Sequence, residues 1–243
     1  MNECERDEFK YQGEELDLFS RAANWKDYWG RILSPVVQGR VLDVGAGQGN
    51  NISVLLNGRC ISWTALEPDS SLLARIPRLG VVAQDPRLRT VVGDIHTLSS
   101  AQTLPEYDTI IYIDVMEHIE DDLSEFQRAS TLLAPGGHLV VLSPAFQFLY
   151  SPFDKAIGHF RRYTRRSLKR LQAESMVPVR MFFLDSVGLL LSAANCMLLK
   201  QSMPTAKQIH WWDRRVIPIS RLTDVLLGHF FGRSIVGVWR KSL

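Results

Sequence analysis

From Arg40 onward, short runs of aliphatic and β-branched residues alternate with stretches whose apolar positions recur at helical spacing. Val41 to Val44, Ser62 to Leu66, Arg89 to Val92, Thr109 to Ile113 and Gly137 to Leu142 read as strands separated by helix-length segments. Strands joined in this way pair in parallel, with the crossover helices packed on both faces of the sheet. Val179 to Leu184 and Ser234 to Arg240 read as two more strands. The pattern predicts an α/β fold: a Rossmann-like, seven-stranded, mostly parallel sheet covered by helices. Ahead of the sheet, Leu16, Phe19, Ala23, Trp25, Trp29 and Ile32 lie near helical spacing and predict one or two helices over Glu14 to Leu33. Beyond Pro144 the regularity lapses through Gly158, after which Thr164 reads as the N-cap of a helix running to about Ser175. An apolar helix over Val187 to Leu199, a proline-punctuated linker and Trp211-Trp212-Asp213 form an insertion before the last strand. Its size suits a lid or the wall of a binding site.

Composition narrows the function classes. With 243 residues, 46% of them hydrophobic, the chain supports one domain with decorations. Its 28 basic and 26 acidic residues leave a formal charge of +2, too little to hold a nucleic-acid backbone through an overall field. Cys4, Cys60 and Cys196 show no C-x-x-C spacing, which argues against a metal knuckle or a disulfide framework and suits a reduced, cytoplasmic protein. Met1 to Gly30 lacks the apolar core and small-residue cleavage site of a signal peptide. Val187 to Leu199, interrupted by Ser192 and Asn195, is shorter than the roughly 20 residues that span a bilayer. It reads as a buried or interfacial helix.

The first strand runs into Gly45-Ala46-Gly47-Gln48-Gly49-Asn50, a glycine turn at the start of a helix, where backbone can approach a ligand closely. Dinucleotide enzymes place G-x-G-x-x-G here, but this chain has G-x-G-x-G followed by Asn50. Asp43 would repel a pyrophosphate and suit the ammonium of an amino-acid ligand, which favours S-adenosylmethionine over NAD. Glu67 ends the second strand, where a carboxylate can accept both hydrogen bonds of a ribose diol, whichever the cofactor. Asp94, closing the third strand, suits an adenine amino group with Ile95 against the ring, and a helix cap is the plainer alternative for any one such acid.

Val-Leu-Asp-Val-Gly-Ala-Gly-Gln-Gly-Asn from Val41, Leu66-Glu67-Pro68-Asp69, Val92-Gly93-Asp94-Ile95, the run from Tyr107 to Asp122 and Leu132 to Leu142 together resemble the successive motifs of class I S-adenosylmethionine-dependent methyltransferases. Gly158 to Leu168 and Phe231 to Lys241 resemble a bacterial methyltransferase-domain subgroup of that family. The resemblance implies that Asp43, Gly45, Ala46 and Gly47, with Asn50 beside them, hold the methionyl part. Glu67, followed by Pro68, would hold the ribose, and Asp94 and Ile95 the adenine. Asp114, Val115 and His118 would line the sulfonium side. It also divides the chain into a helical cover over 1–38, a cofactor-binding core over 39–145 and an acceptor side over 146–243.

Methyl transfer requires an aligned nucleophile, exclusion of water and, for some acceptors, removal of a proton. Adenine N-methylation is disfavoured because Asp114-Val115-Met116-Glu117 stands where that chemistry has an Asp or Asn-Pro-Pro-aromatic tetrad, and no Pro-Cys offers the thiolate of cytosine C5 methylation. A small-molecule acceptor is expected. His159, in the irregular stretch after the fifth strand, is a candidate general base with Asp154 to orient it. Arg161, Arg162 and Tyr163 could bind a carboxylate or phosphate of the acceptor instead. Arg165, Arg166, Lys169 and Arg170 read as the solvated face of the helix begun at Thr164. Trp25, Tyr28, Trp29, Trp211 and Trp212 read as core or as an apolar cover over the acceptor. Oxygen is the favoured acceptor atom, with N-methylation, nicotinamide-dependent oxidoreduction, a non-catalytic methyltransferase-like subunit and a lipid-linked acceptor reached from a membrane surface as competing readings.

Overall fold

A computed structural model describes residues 15–76, 80, 84–99, 106–196 and 204–243. Seven strands form one sheet: β1 Gly39–Val44, β2 Cys60–Glu67, β3 Leu88–Val92, β4 Tyr107–Ile113, β5 Leu133–Pro144, β6 Met176–Leu184 and β7 Ser234–Lys241. Their order is β3-β2-β1-β4-β5-β7-β6. The pairings among β1 to β5 are parallel, while β7 runs antiparallel between β5 and β6. All seven predicted strands are present, each longer than expected, from one residue at β3 and β7 to six at β5. The sheet order reverses between β1 and β4, which opens a crevice beyond the C-terminal ends of those strands.

Two apolar layers flank the sheet. One side packs Val41, Trp63, Ile111, Val140 and Val236 against Trp25, Trp29, Leu33 and Trp212; the other packs Leu42, Ile110, Tyr112, Leu139 and Ile235 against Phe126, Ala129 and Trp239. The alternation along each strand sends neighbouring residues to opposite layers. Trp25, Tyr28, Trp29 and Trp212 are therefore core, not a cover over an open site, while Trp211 is exposed. The N-terminal segment forms two helices, Glu15–Ser20 and Ala23–Leu33. Residues 1–14 of the expected cover and the end of the apolar helix after Cys196 lie outside the described residues.

The insertion after β6 packs back on the N-terminal helices through buried carboxylates. Asp213 accepts from the backbone N–H groups of Asn24 and Trp25, at the first turn of Ala23–Leu33. Asp224 accepts from the Tyr28 hydroxyl and from the N–H groups of Asp185 and Ser186. Asp185, at φ +67, caps helix Ser186–Ala194 through Gly188 N–H and also accepts from the Trp212 indole and the Ser220 hydroxyl. Thr164 is an N-cap as expected, but its helix spans only Arg165–Leu168. Arg165 departs from the predicted solvated face: it stacks between the rings of Phe183 and Phe230.

Candidate active site

The glycine turn begins directly at the end of β1. Gly45 and Gly47 have φ of +65° and +54°, a region that favours glycine, and a Cβ on Gly45 would lie 2.6 Å from Val115 Cγ2. The turn is thus seated against the residue that follows β4. Asp43 beneath it is fully buried, with Oδ1 accepting from Asn51 Nδ2 at 2.9 Å. Its Oδ2 has no hydrogen-bond partner among the described residues. Burial pushes the Asp43 carboxyl up to about 7; Glu67 adds to the rise, and the Asn51 bond and the nearby Trp63 indole draw it back.

Glu67 ends β2 and bridges two loops, its Oε2 accepting from Gly47 N–H at 2.9 Å and its Oε1 from Asp69 N–H at 3.0 Å. Burial raises its pKa, while the Asp69 and Gly47 bonds hold it down. Each oxygen has a lone pair left for a diol. Ala46 is buried, its N–H bonded to the Leu66 carbonyl, and Pro68 is half-buried beyond Glu67. Asn50 does not face Asp43; its neighbour Asn51 does, and the Asn50 carbonyl accepts from Ser53.

Asp94 is exposed and caps helix Ile95–Ser99, its Oδ1 accepting from Thr97 N–H and Oγ1. Ile95 is fully buried in the core beside Leu42 and Val44, so its side chain fills the interior behind this edge. The plainer reading of Asp94 as a cap thus describes the geometry.

Across the crevice, Asp114 follows β4 in the left-handed region at φ +54. It is reachable by solvent yet crowded by protein, and this desolvation pushes its carboxyl up to about 6, with His159 and Arg233 pulling it back. Met116–His118 forms a short 3-10 turn next to it. Glu117 is fully buried: Oε2 accepts from the Ser143 hydroxyl at 2.9 Å, and Oε1 has no hydrogen-bond partner among the described residues. Desolvation, reinforced by Asp114, lifts its pKa well above the usual carboxylate range.

His159 is buried, and its Nδ1 lies 2.9 Å from Asp154 Oδ1 while Nε2 lies 3.8 Å from Glu117 Oε1. Asp154 sits at the first turn of Pro152–Ala156, where Ser151 donates to its Oδ2 from both N–H and hydroxyl. Burial opposes its ionisation, but the His159 and Arg162 bonds hold its pKa far below the ordinary value. His118 meets the His159 ring edge to face at 4.5 Å between centroids. Desolvation, aided by His159, lowers the His118 pKa to about 4, against a hydrogen bond to the Gly158 backbone.

The structure gives the arginines expected to bind an anion internal partners of their own. The Arg162 guanidinium grips Asp154 through Nε at 2.8 Å and Nη2 at 3.0 Å, so its fork is already filled. Arg161 bonds Asp122 at 2.9 Å and the Glu120 carbonyl. Tyr163 is buried, its hydroxyl donating to Asp122 at 2.7 Å. These three residues brace the loop that carries His159. The sequence reading passed over Glu117, Ser143 and Asn51, although a glutamate directly before His118 after a strand was a visible signal.

A family model described as a methyltransferase domain matches residues 15–175. A ubiquinone biosynthesis O-methyltransferase of Vibrio vulnificus (strain YJ016) is 28% identical over 101 residues, 41% of this chain and 41% of that protein. The chain thus spans about two-fifths of the length of the curated relatives it matches there. The crystal structure of an S-adenosylmethionine-dependent methyltransferase from Mesorhizobium loti superposes with a TM-score of 0.57 at 16% identity, covering 92% of this chain and 100% of that one. The N-methyltransferase NodS from Bradyrhizobium japonicum WM9, solved with S-adenosyl-l-homocysteine, superposes with a TM-score of 0.53 at 13% identity, covering 92% and 87%.

Proposed function

Since this chain belongs to the methyltransferase-domain family, we propose that it is a class I S-adenosylmethionine-dependent methyltransferase whose acceptor is a small molecule methylated on a hydroxyl oxygen, with His159 drawing off the proton. The residues present suit the cofactor. The buried Oδ2 of Asp43, without a hydrogen-bond partner among the described residues, suits an ammonium, and Glu67, anchored by Gly47 and Asp69, keeps lone pairs for a ribose diol. Gly45, Ala46 and Gly47 would follow the methionyl chain, Asp94 the adenine, and Asp114 and Val115 the sulfonium side. When bound, S-adenosylmethionine supplies an electrophilic methyl group on its sulfonium.

The observation that carries the acceptor side is the relay Arg162, Asp154, His159. With Asp154 accepting from Nδ1 the imidazole tautomer is fixed, which leaves the Nε2 lone pair on the side of Glu117. His118 beside it is neutral at ordinary pH and cannot repel a second charge there. Because Arg161 and Arg162 already engage Asp122 and Asp154, a hydroxyl is favoured over a carboxylate, and the O-methyltransferase names among the relatives support oxygen over nitrogen.

The test is to incubate the protein with methyl-labelled S-adenosylmethionine and a small-molecule extract of its source cells. A labelled product stable in mild base is expected; methanol release would mean a methyl ester and overturn the hydroxyl assignment. His159→Ala should keep cofactor binding and slow transfer by about 10²–10⁴-fold. Full activity in that variant removes His159 from the mechanism.

A second reading concerns where the acceptor resides. Helical residues run continuously from Ala206 to Leu226, and Trp211, Ile219, Leu222, Val225 and Leu226 are exposed, the last at 83%. Leu190 on the neighbouring helix is exposed as well, at 65%. Lys207, Arg214 and Arg215 lie exposed near the Trp211 end. An apolar face with a tryptophan and basic residues at one end suits the surface of an anionic bilayer and hence an acceptor held in it.

A further inference from the structure

We propose that Glu117, His118 and His159 bind a divalent transition-metal ion, and that the acceptor presents a hydroxyl able to join it. The three residues arrive from two loops: Glu117 and His118 from the turn after β4, His159 from the stretch after β5. One donor atom from each lies within 4.8 Å of the others. Ligands on a shared ion at bond lengths of about 2.0–2.2 Å lie about 3–4 Å apart, so the 3.8 Å between His159 Nε2 and Glu117 Oε1 already fits a common ion. As a direct hydrogen bond that separation is too long.

Glu117 Oε1 supplies an independent indication. The side chain is 0% exposed, Oε2 is bonded to Ser143, and Oε1 lies 3.8 Å from the imidazole Nε2 with no hydrogen-bond partner among the described residues. A buried carboxylate oxygen of this kind calls for a cation or a donor. The surroundings are those that metal-binding histidines use. Asp154 holds the His159 Nδ1 side and is itself held by Arg162 and Ser151, while His118 bonds the Gly158 backbone. Two imidazoles and one carboxylate suit zinc, manganese, iron or cobalt, and leave coordination positions open.

The use of the ion rests on the methyl-transfer reading; its binding does not. With an ion present, Nε2 is a ligand, and the ion replaces His159 in acidifying the acceptor. The hydroxyl proton leaves to solvent water beside Asp114, the oxygen forms its bond to the methyl carbon, and the carbon–sulfur bond breaks with its electron pair on sulfur, giving a neutral thioether. Acceptors with two adjacent oxygens, such as catechols or vicinal diols, would chelate best.

The experiment is a titration of the full chain, stripped with a chelator, with Co²⁺ alone, read by visible absorption and calorimetry. One ion per chain is expected, with ligand-field bands. Glu117→Gln and His118→Ala should each weaken binding at least tenfold, and Asp154→Asn by about 10–100-fold. His210→Ala, at an exposed histidine, should leave it unchanged, and circular dichroism checks that each variant is folded. Absence of saturable one-to-one binding, or equal binding in folded Glu117→Gln and His118→Ala chains, overturns the inference. Undiminished transfer in excess chelator overturns the ion's part in the transfer and leaves His159 as the direct base. Cobalt binding with no labelled product sustains the metal site and counts against the acceptor reading alone.

Discussion

Asp43 is a carboxylate whose ordinary pKa of 3.8 rises in the fold to about 7, chiefly through burial. Below pH 3.8 it is protonated in both folded and unfolded chains and costs nothing. As pH rises toward 7 the unfolded chain gives up a proton that the folded one retains, so stability from this group is lost through that window and stays lost above it. A ligand ammonium beside Oδ2 would restore it. The rise in Tm on saturation with S-adenosylmethionine should therefore be larger at pH 8 than at pH 6, and Asp43→Asn should flatten the difference. Equal shifts in both proteins would place the ammonium elsewhere. This residue was legible because an acid before a glycine turn has few other uses. Asn51 was not, since choosing it over Asn50 depends on how the turn rotates, and Arg162 was not, since its partner Asp154 comes from a separate helix.

The strands were legible as elements because each carries a run of β-branched or aliphatic residues, even the edge strand β3, which has no fully buried residue. The helix after Thr164 was overestimated: basic residues at helical spacing continue past Leu168, but only Leu168 and Leu171 there are buried. The carboxylates that fasten the insertion had no local sequence signal, because their partners are backbone groups at helix starts. Asp224 is the one to test, being fully buried and serving Tyr28, Asp185 and Ser186 at once. Asp224→Ala would leave three buried donors unmatched, each costing about 1–3 kcal/mol. A loss of at least about 3 kcal/mol in urea unfolding is expected, with Asp224→Asn less severe. A loss under 1 kcal/mol would mean that water or a shifted neighbour replaces the carboxylate.

Across the whole molecule, 28 basic and 26 acidic residues nearly cancel, yet Lys207, Arg214 and Arg215 lie exposed next to the apolar face around Leu222 and Leu226. No helix among the described residues is long and apolar enough to cross a membrane. Attachment would then be peripheral and sensitive to salt. The protein should float with liposomes containing anionic lipid and much less with neutral ones, and Leu222→Glu with Leu226→Glu should abolish flotation while leaving cofactor binding intact. Wild-type protein that stays at the bottom of the gradient with both liposomes would exclude the bilayer-borne acceptor.

The placement of β7 between β5 and β6 also sets a timetable for synthesis. Met176–Leu184 has no sheet neighbour other than a strand translated some fifty residues later, so on the ribosome one flank of the domain must wait, its backbone unmatched, while the parallel half can already assemble. Proteolysis of stalled nascent chains should find β1 to β5 protected before Ser234 emerges and β6 only afterwards; early protection of β6 would mean that it finds a temporary partner.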